Sequence, residues 1–409
     1  MTRTKRQSAA RFKLPGARRI AIAAALAVAG YFVLADTVAN VLIKATPTLA
    51  SVVAPWNAKV KARALEQEYT LLGSGSNVAV GAAQARLALR GDPTATEALN
   101  VLGLQAQLEN DIEKTHNIFA YSLRLSRREL PARLWAIEEA VNRGDINAAL
   151  QNFDTALRTS RTAGDLLFPT LTRALAEPRI RQQVLTLLRR DPIWAPDFIR
   201  FASASQLNPT GTLQLIVEGR ADDLPVAPED RRALVDALVF ESSFDEAWRY
   251  YSSYRNGVRR NASRDQDFSA RIANATVFDW ILSEFAWSEQ EAERSRLAFD
   301  IPPTTVELLA RQYSVLPAGR YTLRGAGRAT ATDRLETPYW SLTCRDGREL
   351  AQINLPFGTE DPQSFASDLV VPEDCPIQAL ELHSRAVEDI GGVSGIVEQI
   401  AIEPQGGRQ

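Results

Sequence analysis

The sequence predicts a multidomain α + β chain: an N-terminal transmembrane helix, an α-solenoid of helix-turn-helix repeats and a C-terminal antiparallel β-sandwich. Three observations carry this prediction. Ile20 to Ala35 are almost purely apolar. Between residues 60 and 260 apolar residues recur at helical spacing with a 34-residue period. From about Asn261 that periodicity gives way to short alternating runs between Gly and Pro turns.

The apolar run is the most hydrophobic part of the 409-residue chain. Residues 1–19 in front of it hold Arg3, Lys5, Arg6, Arg11, Lys13, Arg18 and Arg19 and no acid, the pattern of a tail kept in the cytoplasm. Sixteen residues are short for a span, which takes about 20. Thr37 to Ile43 lengthen it, interrupted only by Asn40 once Asp36 is passed, so an anchor over 20–43 is expected. Val41 to Val53 read as continuing helix. The alternative is a cleaved signal peptide, since Val33-Leu34-Ala35 fits a small-x-small exit before Asp36. The first reading makes a single-pass bacterial inner-membrane protein with a periplasmic body; the second makes a soluble periplasmic module.

Seven cations lie in residues 1–19, which leaves −9 on the remainder of a chain whose formal charge is −2. An acidic body argues against nucleic acid, which selects clustered Lys and Arg. The two cysteines, Cys344 and Cys375, are expected to form one disulfide in an oxidising compartment. The two histidines, His116 and His383, lie far apart in sequence, which argues against a His-based metal site.

Residues 60–260 are expected to form the helical array. Asn110-Asp111 precedes Gly144-Asp145 by one period, as Phe119 precedes Phe153 and Leu123 precedes Leu157. The pattern resembles the tetratricopeptide repeat. Leu102-Gly103 and Ala106 match its first helix, and Ala149, Phe153 and Ala156 its second; Ala85, Ala88 and Pro93 take the corresponding places one unit earlier. Thr115 and Ser122 depart from the expected alanines, and the Trp and Tyr of the first helix are missing. Phe244-Asp245, Ala247, Tyr251 and Tyr254 echo the spacing further on, past helices broken at Pro169, Pro178, Pro192, Pro196 and Pro209. The resemblance implies a concave groove that binds a protein partner, with a spacer role as the alternative.

In residues 262–404, Arg320–Arg324, Tyr339–Cys344, Ala379–His383 and Ile396–Ile402 read as strands, followed by a tail at 405–409. Trp340, Leu342 and Cys344 share one face of their strand and Tyr339, Ser341 and Thr343 the other. Asp267-Phe268, Phe278-Asp279-Trp280, Pro317–Leu323 and Gly395–Ile402 resemble elements of bacterial carbohydrate-binding modules with the galactose-binding-like jelly roll. That likeness implies a sandwich that contacts polysaccharide through aromatic rings, with Trp287, Tyr339, Trp280 and Trp340 as candidates. Core packing is the alternative for Trp280 and Trp340. Glu398 shares strand parity with Ile396, Ile400 and Ile402, so its carboxylate needs a partner in the core. The family's structural Ca²⁺ would here use Asp267 and Glu398; a salt bridge to an Arg is the alternative.

Catalytic signatures do not appear. Gly391–Gly395 fails the spacing of a nucleophile elbow, and Gly73–Ser76 lacks the Lys of a phosphate loop. Glu138-Glu139 and Asp222-Asp223 read as solvated surface carboxylates. The expectation is a non-catalytic, membrane-anchored extracytoplasmic scaffold. It would bind protein partners through the repeats and envelope or exported polysaccharide through the sandwich. A glycan-acting enzyme using unrecognised carboxylates is the alternative from another class.

Overall fold

The computed structural model describes residues 17–72, 78–219, 224–291, 294–330, 336–358, 361–386 and 391–405. The tail before residue 17, Gly73–Ser76, Asp222-Asp223 and residues 406–409 therefore lie outside the described residues. The chain forms two compact units, Met1–Ala163 and Gly164–Gln409. The expected helical domain over 60–260 spans both units, and its last helices share an apolar cluster with the sandwich.

In the first unit, α1 (Ala17–Leu42) contains an apolar stretch, Ile20–Leu42, long enough to cross a membrane. Helix does not continue to Val53 as expected. Proline at 47 has no N–H for a helical bond, so it opens a new short helix instead, α2 (Pro47–Val53). Ala50 and Ala54 then pack on Ala39 of α1 together with Val60. Next come α3 (Ala58–Leu72) and α4 (Val78–Gly91).

Two matched helix pairs follow: α5 (Thr96–Leu108) with α6 (Ile112–Leu125), and α7 (Leu130–Asn142) with α8 (Ile146–Thr159). Corresponding helices have equal lengths and begin one 34-residue period apart. The same chemistry makes both turns. Asn110 and Gly144 adopt positive φ, of 56° and 72°, ending the first helix of each pair. Asp111 and Asp145 then cap the second helix, accepting from the backbone N–H of Lys114 (3.1 Å) and Ala148 (2.9 Å). Phe119, Phe153, Ala149 and Ala156 are buried between the helices. The two departures from alanine are also buried, with their hydroxyls satisfied: Thr115 donates to Asp111 O (2.7 Å) and Ser122 to Asn100 Oδ1 (3.0 Å).

The second unit begins with α9 (Ala163–Ala174, starting at the boundary residue), α10 (Pro178–Leu188), α11 (Ala195–Ala204) and α12 (Pro209–Gly219). The prolines expected to break helices mostly start them: Pro178, Pro196 and Pro209 occupy first-turn positions, where no intrahelical N–H is needed, while Pro169 sits inside α9. The pair α13 (Pro228–Phe240) and α14 (Phe244–Tyr254) repeats the earlier turn with Ser242 at φ 72° and Ser243 as N-cap. Ala247 and Tyr251 are buried, as their match to Ala149 and Phe153 requires.

The sandwich consists of two five-stranded antiparallel sheets. One has the order β1 (Ile281–Leu282), β4 (Leu308–Ser314), β9 (Gln378–His383), β6 (Tyr339–Cys344), β7 (Glu349–Asn354). The other runs β2 (Ala286–Glu291), β3 (Arg294–Ile301), β10 (Val393–Pro404), β5 (Gly319–Thr330), β8 (Gln363–Val371). Their inner faces enclose a core that includes Leu297, Phe299, Leu323, Trp340, Leu342, Val397, Ile400 and Ile402. Cys344 and Cys375 are joined within it by a disulfide. The expected opening strand around Asp267-Phe268 and Phe278–Trp280 is irregular instead; Asp265 and Phe268 take positive φ values of 49° and 56°, which a strand does not accommodate. Helices α12–α14 dock on the sandwich through one apolar cluster that joins Leu238, Phe244, Trp248 and Tyr251 to Phe278, Val315 and Ile377.

Candidate functional site

Aromatic rings are the natural place to begin, because a sugar needs an exposed ring face. Trp340 is 0% exposed and meets Trp280 edge-on at 5.7 Å inside the core, so no ligand reaches it and it is not a binding residue. Trp280 packs against the same core, and its indole Nε1 donates to Asp265 O at 2.9 Å, holding the irregular segment before β1. Both rings serve the interior. Trp287 differs. It stands on β2, an edge strand, on the opposite face from buried Ala286, and is 45% exposed. Its cross-strand partner is Ala298, too small to cover an indole.

Tyr339 is half-buried on the outer face of the other sheet, in a row that spans three strands. On β9 its neighbour is His383, whose ring lies 5.2 Å away and nearly parallel. The Arg385 guanidinium sits 4.5 Å from the Tyr339 centroid and also donates to Asn354 Oδ1 (3.0 Å) on β7. With those groups against it, Tyr339 offers polar edges more than a stacking face. Glu381, one row along, accepts from Arg311 Nε (2.5 Å) and pairs with His383 Nε2 (3.2 Å). The bond to His383 first, and then Arg311, hold its carboxyl below the usual range despite partial burial. Beside Glu381 the Ser341 hydroxyl is buried and finds no hydrogen-bond partner among the described residues. Glu381, His383 and Arg385 were missed as a group, although their spacing of two residues puts all three on one side of an extended chain.

The second sheet carries a concavity. Through Val397, β10 pairs with β3; from Ile400 onward its backbone bonds run to the 263–266 loop, with Ile400 N donating to Gln266 O (2.9 Å) and Ile402 N to Ser263 Oγ (2.9 Å). Where one partner gives way to the other, the register of β10 against β5 slips between Val397 and Gln399. This bulge leaves Glu398 as an extra residue and reverses side-chain parity. Val393 and Val397 point inward before it, Ile400 and Ile402 after it, and Glu398 does not enter the core. The expectation drawn from its parity is thereby corrected.

Glu398 instead lines a cavity of about 630 Å³ with Asp267, Ser269, Arg294, Arg296 and Gln399. The fold thus brings together the two carboxylates singled out for Ca²⁺, but with two guanidiniums beside them. Asp267 already accepts from Ser269 Oγ (2.8 Å), and Arg296 donates to Glu289 Oε2 (2.9 Å). Guanidiniums beside the two acids weaken their attraction for a divalent ion, and Ca²⁺ takes six to eight oxygens. No group of three or more His, Cys, Asp or Glu suited to a metal occurs among the described residues. Glu289 and Trp287 share one face of β2, so the exposed indole stands next to the row that leads into this cavity.

Fold and site together define a two-sheet β-sandwich with a polar, partly aromatic outer surface, joined in one chain to helical repeats. No family model and no curated protein matches the sequence. Among solved structures, the carbohydrate-binding module TmCBM61 in complex with β-1,4-galactotriose is 13% identical, covering 37% of this chain and 99% of its own, with a TM-score of 0.26. The C-terminal CBM6 of the laminarinase LamC from Zobellia galactanivorans is 13% identical over 35% of this chain and 99% of its own, TM-score 0.23. The CBM22-1 xylan-binding domain of Xyn10C from Paenibacillus barcinonensis is 10% identical over 34% and 91%, TM-score 0.24. At these values no function follows from the likeness.

Proposed function

We propose that this protein is a non-catalytic scaffold anchored in a bacterial inner membrane by α1, with its N-terminus cytoplasmic and its body periplasmic. Its helical repeats, which we read as tetratricopeptide-like, engage a protein partner, and its sandwich holds an envelope or exported polysaccharide. The observation that carries the polysaccharide reading is Trp287: a 45% exposed indole one row along the sheet from Arg296, which lines the cavity with Arg294, Asp267 and Glu398. An open ring face next to paired hydrogen-bond donors and acceptors is the combination that sugar rings use, apolar on one side and hydroxyl-rich at the edge. Supporting the export reading are the apolar stretch Ile20–Leu42 and the Cys344–Cys375 disulfide, which suits an oxidising space.

The test is glycan-array binding by the full chain in lipid nanodiscs. Binding is expected, and Trp287→Ala should weaken it at least tenfold without lowering the melting temperature. Absence of binding, or a Trp287→Ala variant that binds as tightly as the parent, refutes the polysaccharide reading.

A further inference from the structure

The first unit carries a second apolar element beside the anchor. Trp56, just past α2, meets Phe32 edge-on at 4.6 Å and Tyr31 at 6.1 Å. The α2 segment therefore runs back along the last third of α1. Leu49 and Val52 are exposed on it beside Thr48, Val52 to 74%; Trp56, Leu34, Val38 and Val41 are exposed as well.

Length decides where this hairpin can sit. From Ile20 to Phe32 is 13 residues, about 20 Å of helix at 1.5 Å per residue. A hydrocarbon core is about 30 Å thick, so a span starting at Ile20 continues past the level where Trp56 packs. The polar side chains in that stretch each make a hydrogen bond within the hairpin. Asp36 accepts from Asn57 Nδ2 (2.8 Å), Asn40 donates to Asp36 O (2.9 Å) and Thr37 to Val33 O (2.7 Å). Part of the backbone is satisfied too: the N–H groups of Ile43, Ala45 and Thr46 bond within the turn, and Pro47 and Pro55 have none. Lys59 and Asp92 line a cavity together with Phe32, Asp36 and Trp56, so the Trp56 ring has charged groups on that side.

We propose that α2 and Trp56 form a half-depth membrane insert, with Leu49, Val52 and Trp56 seated in the headgroup–acyl boundary of the leaflet opposite the N-terminal tail. The occupant of this apolar face is lipid, by continuity with the span. The inference rests on the anchor reading of α1. Tryptophan favours that boundary because its ring is apolar and its N–H polar.

The test uses the full chain in lipid nanodiscs, with a polarity-sensitive fluorophore on a single introduced thiol. The native cysteines are joined to each other and do not compete. Val52→Cys reports on α2, Leu26→Cys on the span, and Ile112→Cys, 83% exposed in the repeats, on solvent. The expected result is quenching of both the Leu26→Cys and Val52→Cys probes by lipid-chain nitroxides. Iodide should then quench the Val52→Cys probe several-fold less than the Ile112→Cys probe. Leu26→Cys in lipid with Val52→Cys as open to iodide as Ile112→Cys overturns the insert and leaves the anchor standing. A Val52→Cys probe shielded from both quenchers overturns it in favour of a second copy or another protein. A Leu26→Cys probe that lipid does not quench removes the anchor, and the insert with it.

Discussion

Asp279 is the residue on which the second unit's helices and sandwich converge. It is 1% exposed and accepts from the Tyr251 hydroxyl of α14 (2.7 Å), from Thr276 N (2.9 Å) and from Thr276 Oγ1 (3.1 Å). Arg264 forms an ion pair with it, and Arg255 of the α14 C-cap lies 3.9 Å away. Burial pushes the Tyr251 phenol up, so it remains a neutral donor. Removing one member of such a network leaves a buried charge uncompensated. Asp279→Ala is expected to destabilise the second unit by about 3–5 kcal/mol in urea unfolding. Tyr251→Phe, which loses one hydrogen bond, should cost about 1–3 kcal/mol. Equal effects from the two would show that Asp279 acts only through Tyr251.

Among the elements, the α5–α6 pair owes its closeness to Gly103. A Cβ placed there would lie 2.6 Å from the Phe119 ring, so α5 and α6 approach only because the position has no side chain. Gly103→Ala should therefore lower the first unit's stability by about 1–3 kcal/mol through overpacking. Asp145→Ala, which deletes the α8 cap, should lower it by about 1 kcal/mol; thermal unfolding measures both. In the sandwich, the turn after Cys344 reaches the helices: Arg345 donates to Ser242 Oγ (2.6 Å) and to the carbonyls of Val239 and Phe240 (3.4 Å each), closing the end of α13. The disulfide, spanning 31 residues, holds that turn. Replacing both cysteines with Ser is expected to cost about 3–4 kcal/mol on the chain-entropy account, measured as a shift in urea midpoint that reducing agent reproduces in the parent.

At the scale of the whole molecule, a buried carboxylate is expected to make the first unit's stability depend on pH. Glu66 in the first unit is buried, pairs with Arg63 and accepts from Asn100 Nδ2 (2.9 Å). Burial is the dominant influence and raises its carboxyl above the ordinary value of 4.5. A raised carboxylate binds its proton more tightly in the folded state, so its stabilising contribution is full below about pH 4.5 and declines as pH rises through the folded value. Glu66→Gln should flatten that decline in the first unit's unfolding; an unchanged slope would mean that another group titrates.

What the sequence by itself determined is whatever repeats or runs on locally. The apolar stretch, the 34-residue period, the Asp caps and the alternation of β6 are all set by neighbours along the chain, and two lone cysteines leave only one possible pairing within it. Helix and strand periodicity need no distant partner to be read. Only the tertiary structure decided which apolar faces meet, because that depends on surfaces far apart in sequence. It divided the helices at Ala163, sent α14 onto the sandwich and put Trp340 inside while leaving Trp287 out. It set Tyr339 of β6 against His383 of β9. It also turned Glu398 out of the core, since the extra residue at Val397/Gln399 reflects a change of strand partner that no local pattern contains.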